Sequence, residues 1–316
     1  TDHRNDTTAD MFQDVQPAKR PRGESLKSDR LPELLVIVLD ARLCSSELPG
    51  SAGYALFPAV WDSIQVFLRA YMLLCQGQKA VILATSANGT QRISEICDAS
   101  EWEAGREMAR KAAMKLAPHA GPMAATLSSS LCLIQRQAQT LKMESRVLLI
   151  DASSNEADHI AESAGLVSAA FAAKSQGTLV DVLSVGQCAA FLLRQVCILA
   201  EGKHVALSDH YHSNNGKPPL AEVLAPSMLF HFLSSKSVRK QLMVAADHQH
   251  LPAVCRCHGK SLEIGHVCSC CLSIYCSDES AICSNCGTRF KRNRDPDPKL
   301  KDLGEELLDW LRSDVS

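Results

Sequence analysis

The sequence predicts an α/β protein with a doubly wound, mostly parallel sheet that has one antiparallel edge strand and is followed by a small cysteine-rich module. Three observations lead to this fold class. Apolar runs typical of buried strands alternate with helical patterns over residues 33–208. One pair of these runs is separated by only a few residues. Six of the fourteen cysteines then lie between His266 and Cys286.

Six segments are predicted to be strands, and several of them are continuous apolar runs because helices cover both faces of a parallel sheet. They are ELLVIVLD (33–40), KAVILATS (79–86), TQRISEIC (90–97), SRVLLID (145–151), TLVDVLSV (178–185) and KHVALS (203–208). The link between the second and third strands contains NGT and is too short for a helical crossover. This pair is therefore predicted to be antiparallel, and the other strands parallel.

Helical patterns account for most of the remaining chain up to residue 235. They cover 57–76, 101–117, 124–143, 157–176, 189–202 and 218–235. Pro58 suits the first turn of the first helix, and Gly202 suits the C-terminal cap of the fifth. Pro226 is expected to interrupt the last helical stretch.

Changes in composition divide the chain into four parts. These are a polar tail (1–31), the strands and helices (32–245), the cysteine-rich module (252–290) and a charged tail that could form a helix (291–316). The first tail is predicted to be disordered, because it has too few apolar residues to bury a core. Basic residues around Arg20 also fit a nuclear-import patch, and the two interpretations are compatible.

Bulk properties argue against several classes of protein. The net charge of -2 is unlike that of a polybasic nucleic-acid binder. No apolar run approaches the roughly 18–20 residues that cross a bilayer, so no membrane association is expected. The first residues lack the apolar centre of a secretory signal. Fourteen cysteines without such a signal indicate a reducing compartment, where clustered thiols are more often metal ligands than disulfides.

Motifs for catalysis are missing from the sequence. It has no phosphate-binding loop, no dinucleotide-binding glycine motif after the first strand and no nucleophile elbow. His210 and His212 lie in a polar loop, where solvated side chains are the simpler interpretation than metal ligands. The chain is therefore predicted not to be an enzyme.

Two carboxylates end strands at the edge where ligands bind in open α/β sheets: Asp40 and Asp151 could together hold Mg²⁺. The predicted sheet resembles that of the von Willebrand factor A (vWA) domain, whose metal site begins with D-x-S-x-S. Here the sequence is DARLC, with Arg42 and Cys44 in place of the serines. A guanidinium repels a cation and a thiol is a poor Mg²⁺ ligand. The sequence thus favours a vWA-like sheet kept as a scaffold, with Asp40 capping a nearby amide.

Four cysteines form two C-x2-C pairs separated by eleven residues: Cys268 with Cys271, and Cys283 with Cys286. Each pair can present two sulfurs from one tight turn, and four thiolates in a tetrahedral set select Zn²⁺. The module is too short to bury a core of its own, so bound zinc is predicted to supply most of its folding free energy. We therefore expect a structural zinc-finger domain over 252–290.

A second candidate ligand set accompanies the first. Its members are Cys255, Cys257, His258 and Cys276. Cys276 lies between the two C-x2-C pairs, an interleaving that resembles the cross-brace of RING-type fingers, but its own pair offers only Asp278 or Glu279 as a second member. A second zinc site and simple packing of these cysteines both remain open. Cys270 is expected to be an extra. The remaining cysteines are expected in the core: Cys44, Cys75, Cys97, Cys132, Cys188 and Cys197.

The combination of a vWA-like domain with this cysteine pattern resembles the smaller vWA-plus-zinc-finger subunit of the general transcription factor TFIIH. The resemblance covers residues 31–290 and rests on LLVIVLDA, SRVLLI, CxCH, IGxVCSxCLSIxC and ICxxC. It implies a non-catalytic structural core subunit in the nucleus that acts in RNA polymerase II transcription initiation and nucleotide-excision repair. The implied partners are the zinc-binding region of the larger vWA subunit and the other core subunits, including the helicases. Association with DNA would be indirect.

Other functions remain open from the residues alone. A RING-type ubiquitin ligase needs two complete zinc sites and an exposed apolar groove. A nucleic-acid-binding zinc ribbon would use the basic run TRFKRNR (288–294) for phosphate contacts. An enzyme that uses Asp40 and Asp151 with Mg²⁺ would lose its Mg²⁺ affinity in an Asp40→Ala variant.

Overall fold

The computed structural model describes a large part of the chain from Leu31 onward. The described residues are 31–44, 56–116, 119, 121–138, 143–153, 159, 161–186, 191–207, 220–239, 253–258, 261–277 and 281–290. They belong to one compact unit, Leu31–Ser316. The tail over residues 1–30, the 291–316 tail, the His210–His212 loop and Cys188 lie outside the described residues. None of the helices in the described part has the length and apolar character of a membrane span.

Six strands form the main sheet. They are β1 (Glu33–Asp40), β2 (Lys79–Ser86), β3 (Gly89–Ile96), β4 (Glu144–Asp151), β5 (Leu179–Ser184) and β6 (His204–Ala206). Their order is β3-β2-β1-β4-β5-β6, and all neighbours are parallel except β2 and β3. The predicted fold class is confirmed: a vWA-like, doubly wound, mostly parallel sheet with one antiparallel edge strand. The tight β2–β3 connection depends on Gly89, whose φ of 97° is readily adopted only by glycine.

Seven α-helices are described. They are α1 (Leu56–Met72), α2 (Ala99–Met114), α3 (Met123–Ala138), α4 (Ser163–Gln176), α5 (Phe191–Leu199), α6 (Leu220–Phe232) and α7 (Lys236–Arg239). A short 3₁₀ helix, Ala41–Cys44, follows β1 directly.

Two cores lie on opposite faces of the sheet, as alternation along β1 requires. Leu35, Ile37 and Leu39 pack with α1, α2 and α6 on one face. The intervening residues, such as Val36 and Val38, pack with α3, α4 and α5 on the other. Every residue of β1 is buried, which explains its uninterrupted apolar sequence.

Two predictions about helices are corrected by the structure. Helix α4 begins at Ser163 rather than at residue 157, and the side chain of His159 before it binds the carboxylate of Asp151. The final helical stretch is not interrupted: α6 passes through Pro226. The fully buried side chains of Leu224 and Met228, one turn apart, attach α6 to the core on both sides of the proline.

The C-terminal cap of α5 also differs from the prediction. The left-handed residue is Glu201, with a φ of 58°, rather than Gly202. The N–H groups of Glu201 and Gly202 donate to the carbonyls of Ile198 and Cys197, which closes the helix in a Schellman motif. Gly202 is needed for another reason: a Cβ on it would lie 1.8 Å from the carbonyl oxygen of Val180.

Among the scattered cysteines that the structure describes, Cys197 alone confirms the prediction of a place in the core. Cys97 and Cys132 are exposed, so for them it is wrong, and Cys44 and Cys75 are only half-buried. Cys97 directly follows the edge strand β3, and Cys132 neighbours the buried Leu131 on the outward side of α3.

The cysteine-rich module contains two small antiparallel pairs of strands. These strands are β7 (Ala253–Val254), β8 (Ser261–Leu262), β9 (His266–Val267) and β10 (Ile274–Tyr275). The buried residues of this module are mainly cysteines: Cys268, Cys271 and Cys283 cluster with Tyr275. Such a cluster is too small to stabilise a domain by apolar burial alone.

Candidate metal centre

The two C-x2-C pairs fold into turns with matching backbone geometry. The residue directly after each pair is left-handed: Leu272 has a φ of 57° and Gly287 a φ of 72°. The N–H of each donates to the carbonyl of the first cysteine of its pair, at 2.9 Å in both cases. The N–H groups of Cys268 and Cys283 in turn donate to carbonyls five residues later, at 2.9 and 2.8 Å. Each turn therefore directs two sulfurs to the same side.

The four sulfurs of Cys268, Cys271, Cys283 and Cys286 all lie within 4.8 Å of one another. The Cys268–Cys286 sulfur distance is 3.7 Å, and the Cys271–Cys283 distance is 3.6 Å. Zn–S bonds of about 2.3 Å at tetrahedral angles place sulfurs about 3.8 Å apart. The donor set thus fits a zinc ion in both chemistry and spacing.

The pKa values of two thiols in this cluster, Cys268 and Cys271, are shifted in opposite directions. Burial raises the pKa of Cys268 to about 12. Burial also raises the pKa of Cys271, but hydrogen bonds from Ser273 and Asn285 outweigh it and lower that pKa to about 6. Four adjacent thiolates repel one another unless a cation compensates them, and a divalent cation would let all four ionise together.

Tyr275 supports the cluster from one side. Its hydroxyl lies 3.0 Å from the sulfur of Cys283 and 3.2 Å from the hydroxyl of Ser284. Its ring packs edge-on against Phe290 with centroids 6.0 Å apart. The aromatic pair therefore holds the second turn against β10.

The second candidate set comes together only in part. Ligand atoms of Cys255, His258 and Cys276 lie within 4.8 Å of one another, but Cys257 does not join this group. The Cys257 thiol instead hydrogen-bonds to Cys255 and Cys276, and burial together with these two sulfurs raises the pKa of Cys257. Asp278 and Glu279 lie outside the described residues.

At the carboxyl edge of the main sheet, a guanidinium lies between the two predicted carboxylates. Arg42 contacts Asp40 through Nε at 2.8 Å and through its terminal nitrogen at 2.6 Å. The same terminal nitrogen lies 3.5 Å from an oxygen of Asp151. Asp40 also accepts the N–H groups of Arg42 and Ala152, so the expected amide capping is present as well. Arg42 supplies the positive charge where a divalent cation would otherwise bind.

The two carboxylates differ in acidity. Burial raises the pKa of Asp40 despite its contacts with Arg42. Burial also raises the pKa of Asp151, but hydrogen bonds from His159 at 3.1 Å and from the Ser153 hydroxyl at 2.5 Å outweigh it and lower that pKa. Burial and the charge of Asp40 raise the pKa of Cys44 to about 11, so this thiol stays protonated. The carboxylate oxygens of Asp40 and Asp151 thus have partners within the chain.

Sequence reasoning missed several of these roles. It singled out Arg42 only as a residue that repels a cation, and it gave no role to His159, Ser153 or Asn285. Arg42 and Asp151 are 109 positions apart, so no local pattern signals their contact. For Asn285 the one available signal was its position inside the second C-x2-C pair.

The family model for Transcription factor Tfb4 matches residues 89–287, which include most of the sheet and both C-x2-C pairs. The chain belongs to the Tfb4 family.

Three relatives of this chain are named as subunits of factor IIH. General transcription factor IIH subunit 3 of Dictyostelium discoideum is 30% identical over 171 residues, covering 52% of this chain and 41% of that protein. General transcription and DNA repair factor IIH subunit TFB4 of Arabidopsis thaliana is 25% identical over 174 residues, covering 54% and 53%. The tfb4 subunit of Schizosaccharomyces pombe is 22% identical over 287 residues, covering 82% and 89%. The chain spans about half the length of the first two relatives.

Solved structures with a similar chain trace include two vWA-type domains. The TFIIH p34 N-terminal domain is 17% identical with a TM-score of 0.44, covering 62% of this chain and 97% of that one. The SpRpn10 VWA domain is 13% identical with a TM-score of 0.42, covering 58% and 96%. The fold assignment rests on the strand order rather than on these likenesses.

Proposed function

We propose that this chain is a non-catalytic structural core subunit of TFIIH, acting in the nucleus in RNA polymerase II transcription initiation and nucleotide-excision repair. Membership of the Tfb4 family carries this proposal. The relatives named as subunits of factor IIH support it, and the names of the Arabidopsis and Schizosaccharomyces pombe relatives add DNA repair.

The sheet edge supports a binding role rather than catalysis. In other α/β proteins this edge holds ligands, whereas here Arg42 neutralises Asp40 and Asp151 from within the chain. A hydrolytic role for these carboxylates would require Mg²⁺ to displace a tethered guanidinium. What the sheet offers instead is a large folded surface for another subunit.

The proposed partner of the sheet is the zinc-binding region of the larger vWA subunit of TFIIH, with the finger making a second contact in the same assembly. Affinity purification of the full chain at its endogenous level, followed by mass spectrometry, tests this assignment. We expect to recover that subunit together with the helicases and the other core subunits, and any DNA only through them. Recovery of none of them would contradict the proposal.

The finger is proposed to hold a structural zinc ion through Cys268, Cys271, Cys283 and Cys286. The sulfur distances of 3.6 and 3.7 Å support this assignment. The ion would supply the charge compensation and the cross-link that this small cluster lacks, and so most of the folding free energy of the module.

A Cys268→Ser variant should lose this zinc and unfold the finger while leaving the main sheet folded. Its matched control is Cys270→Ser, because Cys270 is exposed and absent from the four-sulfur cluster. Zinc content by elemental analysis and far-UV circular dichroism are the measurements. If the Cys268→Ser chain keeps its zinc and its spectrum, the ligand assignment is wrong.

A second zinc ion is proposed at Cys255, His258 and Cys276, with Cys257 as the remaining candidate ligand. The grouping of the first three within 4.8 Å supports it. The wild-type chain should then bind two zinc ions and a Cys276→Ser chain only one. A stoichiometry of one in both chains would restrict the metal to the four-cysteine cluster.

The interleaving of the two ligand sets along the chain also favours one rival, a RING-type ubiquitin ligase. Ubiquitin discharge from a charged conjugating enzyme, measured with the full chain, separates that function from a structural one. The rival zinc ribbon predicts DNA binding that weakens steeply with salt. We expect neither activity.

A further inference from the structure

Asn285 contacts residues of both the finger and the main sheet domain. It lies between Cys283 and Cys286 in the second turn, and its Oδ1 accepts a 2.6 Å hydrogen bond from the hydroxyl of Ser163, the first residue of α4. The two residues are 122 positions apart. Ser163 is only 2% exposed although it begins a helix at the edge of the sheet.

Within the finger, Asn285 also reaches the first turn. Its Nδ2 donates to the hydroxyl of Ser273 at 2.9 Å, and that hydroxyl lies 3.2 Å from the sulfur of Cys271. Arg256 donates to the same Oδ1 at 3.2 Å. The amide is thus oriented by both C-x2-C turns, and its direction depends on how the two turns are held together.

On the side of the sheet domain, the segment that carries Ser163 is firmly attached. Glu162 accepts the N–H of Ala124 near the start of α3 at 2.7 Å. His159 binds Asp151 at the end of β4. Ser163 therefore presents its hydroxyl from a fixed position above the carboxyl edge of the sheet.

We propose that Asn285 docks the finger onto the sheet domain through Ser163, and that the metal-held arrangement of the two turns keeps Asn285 in the orientation this contact needs. The proposal rests on zinc binding by the four-cysteine cluster. Loss of the metal then does more than unfold the finger, because it also removes a hydrogen-bond acceptor from a buried hydroxyl at the start of α4. The loss of a buried hydrogen bond destabilises the fold.

Thermal unfolding of the full chain, followed by tryptophan fluorescence, tests this coupling. The chain has three tryptophans, of which Trp61 and Trp102 are fully buried in the sheet domain. A Trp310→Phe background limits the signal to these two. Chelation of zinc should lower the Tm of the sheet domain by about 2–4 °C, the shift expected when one buried hydrogen bond is lost from a domain of this size.

A Ser163→Ala variant should bind zinc as the wild type does and start at the lower Tm, so chelation should lower its Tm no further. The matched control is Ser175→Ala, the same change at the exposed end of α4, which should retain the full response to chelation. The proposal is overturned if chelation lowers the Tm of Ser163→Ala as much as that of the wild type. An unchanged wild-type Tm after chelation would also overturn it.

The contact itself can be tested without reference to the metal. In a double-mutant cycle, Ser163→Ala and Asn285→Ala should together lower the Tm by less than the sum of their separate effects, because the two substitutions remove one shared hydrogen bond. Ser175→Ala, at the opposite end of α4, is the control and should add its own effect to that of Asn285→Ala. Additive effects of the first two substitutions would reject the docking contact. Absence of zinc from the wild-type chain would instead reject the proposed metal site.

Discussion

The guanidinium of Arg42 lies between Asp40 and Asp151, which are 1% and 0% exposed. Two buried carboxylates this close repel each other unless a positive charge lies near them. A bound divalent ion could provide that charge, but the chain provides it from a residue two positions after Asp40. Since the side chain is tethered, the compensation does not depend on ion concentration.

Replacing Arg42 with Met should lower the free energy of unfolding by about 3 kcal/mol, because two buried carboxylates lose their shared cation. Mg²⁺ should restore part of this loss in the variant and have no effect on the wild type. Urea unfolding followed by tryptophan fluorescence measures both effects. Arg69→Met is the control, because its ion pair with Glu103 is exposed and should contribute little. An equal loss in the two variants would refute the role given to Arg42.

At the scale of single elements, α2 begins with a complete capping arrangement. The carboxylate of Asp98 accepts the N–H of Glu101 at 2.8 Å and the hydroxyl of Ser100 at 2.6 Å. The Glu101 side chain reaches back to the N–H of Cys97 at 2.9 Å. The Asp98 carboxylate thus satisfies the Glu101 amide, which the helix itself leaves unpaired, and the contacts together define where α2 starts after the edge strand.

Asp98 should give α2 a stability that depends on pH. Hydrogen bonds from Ser100 and from the Glu101 amide lower the pKa of Asp98, so the ionised form is favoured in the folded chain. A lowered pKa contributes stability above the unfolded value of about 3.9, and this contribution is lost as the pH falls through the folded pKa. The Tm advantage of the wild type over Asp98→Asn should therefore be largest near neutral pH and shrink below about pH 4. Asp98→Ala serves as the control, since it removes the cap at every pH. A constant difference between wild type and Asp98→Asn would contradict the prediction.

The two cysteine turns show how far element geometry follows from sequence. Gly287 is an ordinary residue for the left-handed position after a turn, whereas Leu272 occupies the same conformation at a cost of about 1–2 kcal/mol. Nothing in the local sequence predicts that cost. It is tolerated because the hydrogen bonds of Cys268 to Leu272 and Ser273 close the turn in the same way as their counterparts in the second turn.

At the scale of the whole molecule, a buried ion network joins the starts of the strands to the last helices of the sheet domain. Arg146 in β4 contacts Glu33 in β1 at 2.8 Å, and it donates to the carbonyls of Phe232, the last residue of α6, and of Ser234. Asp181 in β5 forms a bidentate pair with Arg239 in α7, at 2.7 and 2.6 Å. The end of α6 is therefore held by the sheet through charge as well as through its apolar face.

An Arg146→Met variant should lose about 3–5 kcal/mol of unfolding free energy, because Glu33 is left buried without its partner. The double variant Glu33→Gln/Arg146→Met should recover part of this loss, since the unpaired charge is then removed as well. Denaturant unfolding measures both. Arg92→Met, in an exposed pair on the edge strand β3, should stay within about 0.5 kcal/mol of wild type. A double variant as unstable as Arg146→Met would indicate lost packing rather than an unpaired charge.

Much of the sheet was predictable because parallel strands covered on both faces leave a continuous apolar signature, as in β1 and β2. The antiparallel edge strand followed from the shortness of one link. Prediction was weaker at helix ends. The start of α4 was misplaced, since the periodic pattern did not reveal that His159 binds Asp151. The cap of α5 was misassigned because Gly202 is required by its close approach to the carbonyl of Val180.

At the candidate site, too, local features were predicted from the sequence and contacts that depend on tertiary packing were not. The four cysteines of the two turns were predicted from spacing, since two residues between cysteines suffice to bring two sulfurs to one side of a turn. The incomplete grouping of Cys257 with its neighbours was not predicted, because it depends on how β7 and β10 pack. The role of Arg42 was predicted only as repulsion of a metal, and the structure adds that the guanidinium contacts both carboxylates.

The sequence by itself determined the succession of strands and helices along the chain and the pairing of cysteines within each turn. It also determined that Arg42 and Cys44 stand at the serine positions of the D-x-S-x-S pattern. These are properties of chain geometry over a few residues, so they can be identified without knowing what packs where. Only the tertiary structure decided that Arg42 reaches Asp151 and that Asn285 reaches Ser163, across separations of 109 and 122 positions. A buried polar group accepts whichever partner the packed fold brings within hydrogen-bond distance, and no local periodicity specifies that partner.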